Sequence, residues 1–600
     1  MDYVIGLCRE QISMVSLEMA LAADSAARLI DSFVEKVIRG NVSFTRSERP
    51  VRGRPAYDPM SMLKLYIYGY MNGVTSSRKL ERLTEINIEV KWLVGNLNPD
   101  FRTIADFRKE NHKALVDVFA RFREFCNVDL EKATGNDVFS GFKSVDGTKI
   151  RAVQSKDGIY TANKIDDRIA NDEYRIEEAK RYLEELKAAD TAEDSEKQSM
   201  TIDMEKAEKA LNGYIDRKAK HEKIRKEIEQ TGDQYAENDP DARLMKQHYG
   251  GYVPSFNVQT AVDSESHMIE AVNVTNNCTD HGLILSTVEK TDRKEDGIVE
   301  VVADNGYEQP EDIAACLENG IIPNVCLSEV KDDNGNMLQK TDCEVTYDYE
   351  PNEVSEEERQ STRPEDISKC LHAGIVPDCY KDRLEVVADE NGNPEVRKTR
   401  SFGTDGSDPL GIDDMSEDER KALAAKGYFV RDIVNGRVYC PAGSILRQKA
   451  VKKQGAIRYA NKLCCAKCPF RDKCFTECKT RKWKELDFSR NCRIKKADFR
   501  TDGVDEEIDD VPKAESKKKM KGKGSKVTFR FRPDRKKLKQ RKCLSEHPFG
   551  TIKRYMNGDH FMLKGLDKVS AEAHLFALGY NFKRLISIFS TENLLMAMKA

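Results

Sequence analysis

From about residue 12 to 130 apolar positions recur at helical spacing, and the pattern predicts a run of short helices. Segments 26–37 and 60–71 carry it most clearly. Asp58-Pro59 supplies a helix start, Thr75-Ser76-Ser77 reads as a turn and cap before 78–83, and a further helix is expected near 104–125. The period changes at 142–150, FKSVDGTKI, which reads as a short strand ending near an Asp-Gly turn. Helical spacing then returns over 162–230, with no proline and Gly213 as the single glycine. Ile169, Ile176 and Leu183 repeat every seven residues, Leu186 adds a second seam position, and Leu211, Tyr214, Ile224 and Ile228 continue the stripe after a polar break at 188–199. This reads as a helical hairpin inserted into a domain, although the same seam offers a surface for dimerisation.

Strands are expected at 255–262, 267–274 and 298–303, with a helix at 280–291 before the third. A helix at 310–319 and a strand at 321–327 follow. Residues 328–430 are polar, acidic and rich in turn formers, so flexible parts are expected there. Cysteines cluster between 440 and 492, and helices close the sequence near 543–555 and 571–589. The fold class is therefore α/β, and 600 residues are too many for one core. The expected division is 1–135 helical, 136–330 the first part of a mixed α/β core holding the 162–230 hairpin, 331–540 an insertion, and 541–600 the helical end of the core.

Composition changes this picture in two places. No stretch is long and apolar enough for a membrane span and no secretion leader is seen, so a cytoplasmic, nucleoid-associated protein with no membrane partner is expected. The sixteen cysteines are then read as reduced thiols, or as metal ligands where they cluster. The formal net charge of −4 hides a polarised chain. Residues 513–542 carry fifteen Lys or Arg against two acids, directly after the acidic run Asp505, Glu506, Glu507, Asp509 and Asp510. A local excess of that size suits phosphate contacts. Arg46, Arg49, Arg52, Arg54, Arg78 and Arg82 among the early helices suit a helix-turn-helix-like DNA-binding unit; a plain helical domain with a solvated basic face has the same pattern.

Asp146 (in VDGT) and Asp304 (in VVADNGY) each read, taken singly, as turn residues. Taken together they are strand-end carboxylates that can share one space, and such a pair suits Mg²⁺ with water and phosphate oxygens completing its shell. VDGT, NDPDARLMK at 238–246, FNVQTAVD at 256–263, VVADNGY at 301–307 and EHPFGTIKR at 546–554 occur in that order. In this order they resemble the DDE transposases of bacterial insertion sequences, in particular the 1182-type branch with its N-terminal helical domain. The resemblance runs from GRPAYDPMSMLKLYIYGY at 53–70 to EAHLFALGYNFKRL at 572–585.

The resemblance implies an RNase H-like core and a catalytic triad of Asp146, Asp304 and Glu546 holding two Mg²⁺ or Mn²⁺ ions. It implies metal-dependent cleavage of double-stranded DNA at terminal inverted repeats and strand transfer to target DNA, by a homodimer on DNA. Lys553, seven residues after Glu546, returns to nearly the same helix face and corresponds to a DNA-contacting lysine. The family's arginine, four residues before the glutamate, falls on Lys542, with Arg541 adjacent; Arg554 joins the expected DNA contacts. A nuclease that cuts without joining, and a domesticated DNA-binding protein without catalysis, are the alternatives. In the cysteine region, Cys465-x2-Cys468 is a metal-knuckle spacing. The relatives' cysteines imply a structural Zn²⁺ on Cys440, Cys465, Cys468 and Cys474 in a zinc-ribbon-like insertion, with Cys464, Cys478 and Cys492 also in reach. His547, directly after Glu546, is expected to point off that helix face.

Overall fold

The computed structural model describes residues 15–45, 55–188, 194–231, 234–247, 250–292, 297–331, 337–388, 394, 396–398, 412–413, 415–433, 435–451, 457–461, 464–465, 467–474, 484–488, 492–497, 499–503 and 525–598. Arg46, Arg49, Arg52, Arg54, Cys478, the acidic run at 505–510 and the basic residues at 513–523 lie outside these. Two compact units form: residues 1–396 with 527–600, and residues 397–526.

In the first unit the early residues are helical as their spacing predicts. Helices α1 (Ala26–Phe33), α2 (Pro59–Met71), α3 (Phe101–Glu110) and α4 (His112–Glu124) build most of that layer. The Asp58 carboxylate caps α2, accepting from the Met60 amide with Pro59 in the first turn. The single helix expected over 104–125 is broken at Asn111. Its side-chain amide donates to the Phe107 carbonyl while its oxygen accepts from the backbone and hydroxyl of Thr45, so it competes with the helical ladder. The hairpin forms as α5 (Ala162–Ala188) and α6 (Asp194–Thr231). Ile165, Ile169, Ile224 and Ile228 close it at its base with Tyr160.

The central sheet contains β1 (Lys143–Arg151), β2 (Arg243–Lys246), β3 (Tyr252–Asp263), β4 (Ile269–Thr275), β5 (Val299–Ala303) and β6 (Ile321–Val325). Their order is β4-β3-β1-β5-β6, with β2 sharing the edge of β3 that β4 occupies further along. β3 runs antiparallel to β1, β4 and β2; β5 and β6 run parallel to β1. From Pro254 onward every residue of β3 is buried, as expected of a strand covered on both faces. On one face Phe256, Val258 and Val262 join the early helices and two late ones, α9 (Arg535–Tyr555) and α10 (Leu566–Phe589). On the other, Val145, Ala261, Val301 and Ala303 pack against α7 (Leu283–Val288) and α8 (Pro310–Glu318).

Within the polar stretch after residue 328, the described residues 337–388 form strands and helices. Strand Cys343–Asp348 alternates, turning Val345 and Tyr347 inward, and lies beside Ser525–Phe531, which also pairs with Leu384–Val386. Ile367, Leu371, Tyr380, Phe529 and Phe531 from this layer enter the same core as Val145 and Val301. The long-range pairing partner, nearly two hundred residues away, is what composition cannot reveal. The second unit holds a six-stranded antiparallel sheet, ordered Glu485–Phe488, Ile457–Ala460, Ile445–Val451, Arg437–Tyr439, Tyr428–Asp432, Ile494–Lys496. Among the described residues, no helix is long and apolar enough to cross a membrane.

Candidate active site

Asp146 lies in the middle of β1, not at its end, and Asp146-Gly147 is not a turn. The strand continues to Arg151, with Asp146 opposite Thr260 and Gly147 opposite Gln259. The glycine is needed for proximity. A Cβ at 147 would strike the Gln259 side-chain amide, 2.8 Å from its Cδ, and would stand 3.0 Å from Asp280 Oδ1. The sequence suggested a hairpin because Asp-Gly is common in turns; β3 pairing along all of β1 keeps the dipeptide extended instead.

Asp304 does sit at a strand end, just after β5. Its Oδ1 accepts from the Gly306 amide at 2.9 Å and caps the short 3₁₀ turn Asn305–Tyr307. β1 and β5 pair in parallel with Lys143 beside Val301 and Ser144 beside Val302. Carried two residues on, that register sets Asp146 beside Asp304. Burial, reinforced by the charge of Asp304, pushes the Asp146 carboxyl up to about 6. Two carboxylates held this way repel each other and favour a shared proton or a shared cation.

Helix α9 covers this pair from one side. Arg541 Nη1 lies 3.9 Å from Asp146 Oδ2, and the Ser545 hydroxyl, one turn further on, is within reach of the same carboxylate. Lys553 is half-buried; its ammonium donates to the Thr148 hydroxyl and to the Lys149 carbonyl at 3.2 Å. Burial lowers its pKa, while Asp559 and Asp146 oppose that shift. Lys542, Glu546 and Arg554 are exposed. Of the two adjacent basic residues, it is thus Arg541 that reaches Asp146. His547 is exposed, with Nδ1 3.1 Å from the Tyr580 hydroxyl.

Glu546 does not complete a cluster with Asp146 and Asp304. Among the described residues, no three His, Cys, Asp or Glu side chains are arranged to hold a metal ion. Helical geometry gives the reason: Arg541 and Ser545, four residues apart, face the sheet, and Glu546 is turned about 100° away from Ser545. The structure thus brings Asp146 and Asp304 together and leaves Glu546 outside the pair. The aspartate pair itself, with one carboxyl unwilling to ionise beside the other, fits a hard divalent cation.

Sequence reasoning missed the layer beneath the pair. Asp280 Oδ1 accepts from Lys149 Nζ at 2.8 Å, Asn257 Nδ2 at 2.7 Å and Gln259 Nε2 at 2.8 Å. The Tyr307 hydroxyl donates to Gln259 Oε1. Three of these residues stand inside motifs already singled out, Asn257 and Gln259 in FNVQTAVD and Tyr307 in VVADNGY; Asp280 reads only as the start of a helix.

In the second unit the thiol of Cys440 is pushed up to about 12 by burial, with further upward contributions from Cys474, Cys465 and Cys468. Cys440, Cys465 and Cys474 share one apolar cluster that also contains Cys492, but the four cysteines, like the three acids, are not arranged to hold a metal ion here. The Cys468 amide donates to the Cys465 carbonyl, closing the turn between the two knuckle residues.

Three family models match the chain. Residues 15–110 match one described as Transposase domain (DUF772). Residues 208–381 and 439–586 each match a model described as Transposase DDE domain. Asp304 falls in the first of these two DDE matches and Glu546 in the second, while Asp146 precedes both. No curated protein and no solved structure matches the chain.

Proposed function

The chain belongs to the DDE transposases of insertion sequences, enzymes that cleave and transfer DNA strands, and we propose that Asp146 and Asp304 are its catalytic carboxylates. The observation that carries this reading is the parallel β1–β5 register, which sets the two side by side with the Asp146 carboxyl raised to about 6. The strand order β4-β3-β1-β5-β6, with its first three strands antiparallel and the rest parallel to β1, supports an RNase H-like core. The N-terminal helical layer supports the 1182-type branch.

We assign the third acid to Glu546. It directly follows Ser545, and its exposure leaves it open to an arriving DNA end. Mg²⁺ or Mn²⁺, with two ions per site, would be held by these carboxylates and would supply Lewis-acid activation of the attacking and leaving oxygens. The chain's own contribution is positioning and charge. Arg541 partly balances Asp146 and orients it. Lys553 braces the edge of β1 and brings a cation beside the site for a DNA phosphate. Lys542 and Arg554, exposed on α9, are free to contact DNA backbone. Terminal inverted repeats and target DNA are the proposed substrates, bound by a homodimer in the nucleoid. Cys440, Cys465, Cys468 and Cys474 are the proposed ligands of a structural Zn²⁺, on the knuckle spacing of Cys465 and Cys468 and the apolar cluster shared by Cys440, Cys465 and Cys474; binding zinc requires the thiols to draw closer than they stand here.

The test is a supercoiled plasmid carrying the element's terminal repeats, incubated with protein and Mg²⁺ or Mn²⁺. Cleaved ends joined to new sites are expected from the wild type. Asp146→Ala, Asp304→Asn and Glu546→Gln should each lose cleavage while retaining end binding in a mobility-shift assay. Full nicking by any one variant removes that residue from the catalytic set.

A further inference from the structure

We propose that Asp280 is a positioning residue for the strand-cleavage reaction: through Gln259 and the Tyr307 hydroxyl it fixes the turn that carries Asp304. The inference rests on Asp304 acting as a catalytic carboxylate.

An ionised carboxylate only accepts hydrogen bonds. With Asp280 Oδ1 taking Lys149 Nζ, Asn257 Nδ2 and Gln259 Nε2, the Gln259 amide has one permitted orientation. Its Nε2 end points to Asp280 and also donates to Asn257 Oδ1 at 3.0 Å, which leaves Oε1 facing Tyr307. The Tyr307 hydroxyl must then donate to it. Tyr307 is 1 % exposed and lies three residues after Asp304. At its other end its backbone amide bonds the Asp304 carbonyl at 3.3 Å. The ring therefore spans from the sheet floor to the turn, and the turn cannot rotate without breaking the Gln259 bond.

Two glycines make room for the arrangement. Gly147 admits Gln259 and Asp280 under β1. At Gly306 a Cβ would stand 2.9 Å from Asp304 Oδ1 and 3.7 Å from Asp280 Oδ2, so this residue separates the two carboxylates. The Lys149 ammonium pairs with Asp280 at 2.8 Å and keeps its charge from adding to the Asp146–Asp304 repulsion. Such a layer holds reacting groups through the residues that carry them, and small losses of alignment there act on turnover rather than on binding.

The experiment is single-turnover and steady-state cleavage of a labelled duplex bearing the element's terminal repeat, alongside thermal unfolding of each variant. Asp280→Asn and Tyr307→Phe should lower kcat by about 10- to 100-fold, with KM for DNA changed by less than about twofold. Gln259→Glu should be as poor, because it sets an anion against Asp280. The pair Gln259→Glu with Asp280→Asn restores a donor facing an acceptor and should recover most of the lost kcat. Wild-type kcat in Tyr307→Phe overturns the proposal, as does no recovery in the paired variant, or a loss of KM and stability in step with kcat. Should Asp280→Asn fail to fold, Tyr307→Phe keeps the ring and decides the matter alone. An Asp304→Asn control separates the two readings: if it cuts normally the catalytic assignment fails, whereas an inactive Asp304→Asn beside active Asp280→Asn and Tyr307→Phe refutes the relay only.

Discussion

Replacing Asp146 by Asn should make the metal-free protein more stable at pH 8, although it removes a catalytic group. The Asp146 carboxyl is raised from 3.8 to about 6 by burial and by Asp304, and its side chain is 20 % exposed. A raised carboxyl pKa means that the folded state holds its proton more tightly than the unfolded chain does. The stabilisation this gives is full below about pH 4 and is lost as pH rises through about 6. Two pKa units correspond to about 3 kcal/mol, so ionised Asp146 costs the folded protein that order of free energy at pH 8. Asparagine keeps the shape, retains an oxygen for the Gly147 amide now bonded at 2.8 Å, and carries no charge. Urea unfolding in EDTA should give Asp146→Asn an advantage of about 2–3 kcal/mol at pH 8, shrinking toward zero by about pH 4. Mg²⁺ should return part of that difference to the wild type by neutralising the aspartate pair. Equal or lower stability of the variant at pH 8, with no pH dependence of the difference, would refute the reasoning.

Gly147→Ala should destabilise the protein by about 1–3 kcal/mol and slow cleavage, because the new methyl group meets Gln259 and Asp280; unfolding and cleavage assays on one preparation check both. Arg108→Met should cost about 3–5 kcal/mol, since it leaves the fully buried Glu572 without its cation 3.6 Å away; a paired Glu572→Gln change, which removes the charge and keeps an oxygen for the Met562 and Leu563 amides, should recover part of that loss in the same unfolding assay. The proposed structural Zn²⁺ predicts about one equivalent in the wild type and none in Cys468→Ser, by elemental analysis after dialysis against chelator; a metal-free wild type removes the zinc assignment.

Much of the scaffold was legible because local periodicity and burial agree. The hairpin's isoleucines and the apolar runs of β3 to β6 need no distant partner to be recognised. Asp146 was legible as a candidate but misread as a turn residue, because only pairing with β3 tells an extended Asp-Gly from a hairpin. Which of Arg541 and Lys542 faces the aspartates depends on helix phase against the sheet, and spacing from Glu546 alone pointed to the exposed neighbour. Asp280 was invisible for a different reason. Its importance lies in three donors from β1 and β3 that meet it only after the sheet closes.

The buried link Tyr70–Arg108–Glu572 bears on the order in which the molecule is made. Tyr70 donates to Glu572 at 3.1 Å and receives from Arg108 at 2.6 Å, while Phe33 and Tyr70 pack on Phe582 and Phe576 of α10. The first 130 residues thus leave the ribosome long before the helix that fills their core. During synthesis they must wait, unfinished and exposing aromatic surface, for some four hundred and fifty residues more. A fragment of residues 1–135 expressed alone should aggregate or bind a chaperone, and co-expression of residues 525–600, which carry the missing helix, should raise its solubility. A well-folded, monomeric 1–135 fragment by gel filtration and circular dichroism would show that this waiting period does not exist.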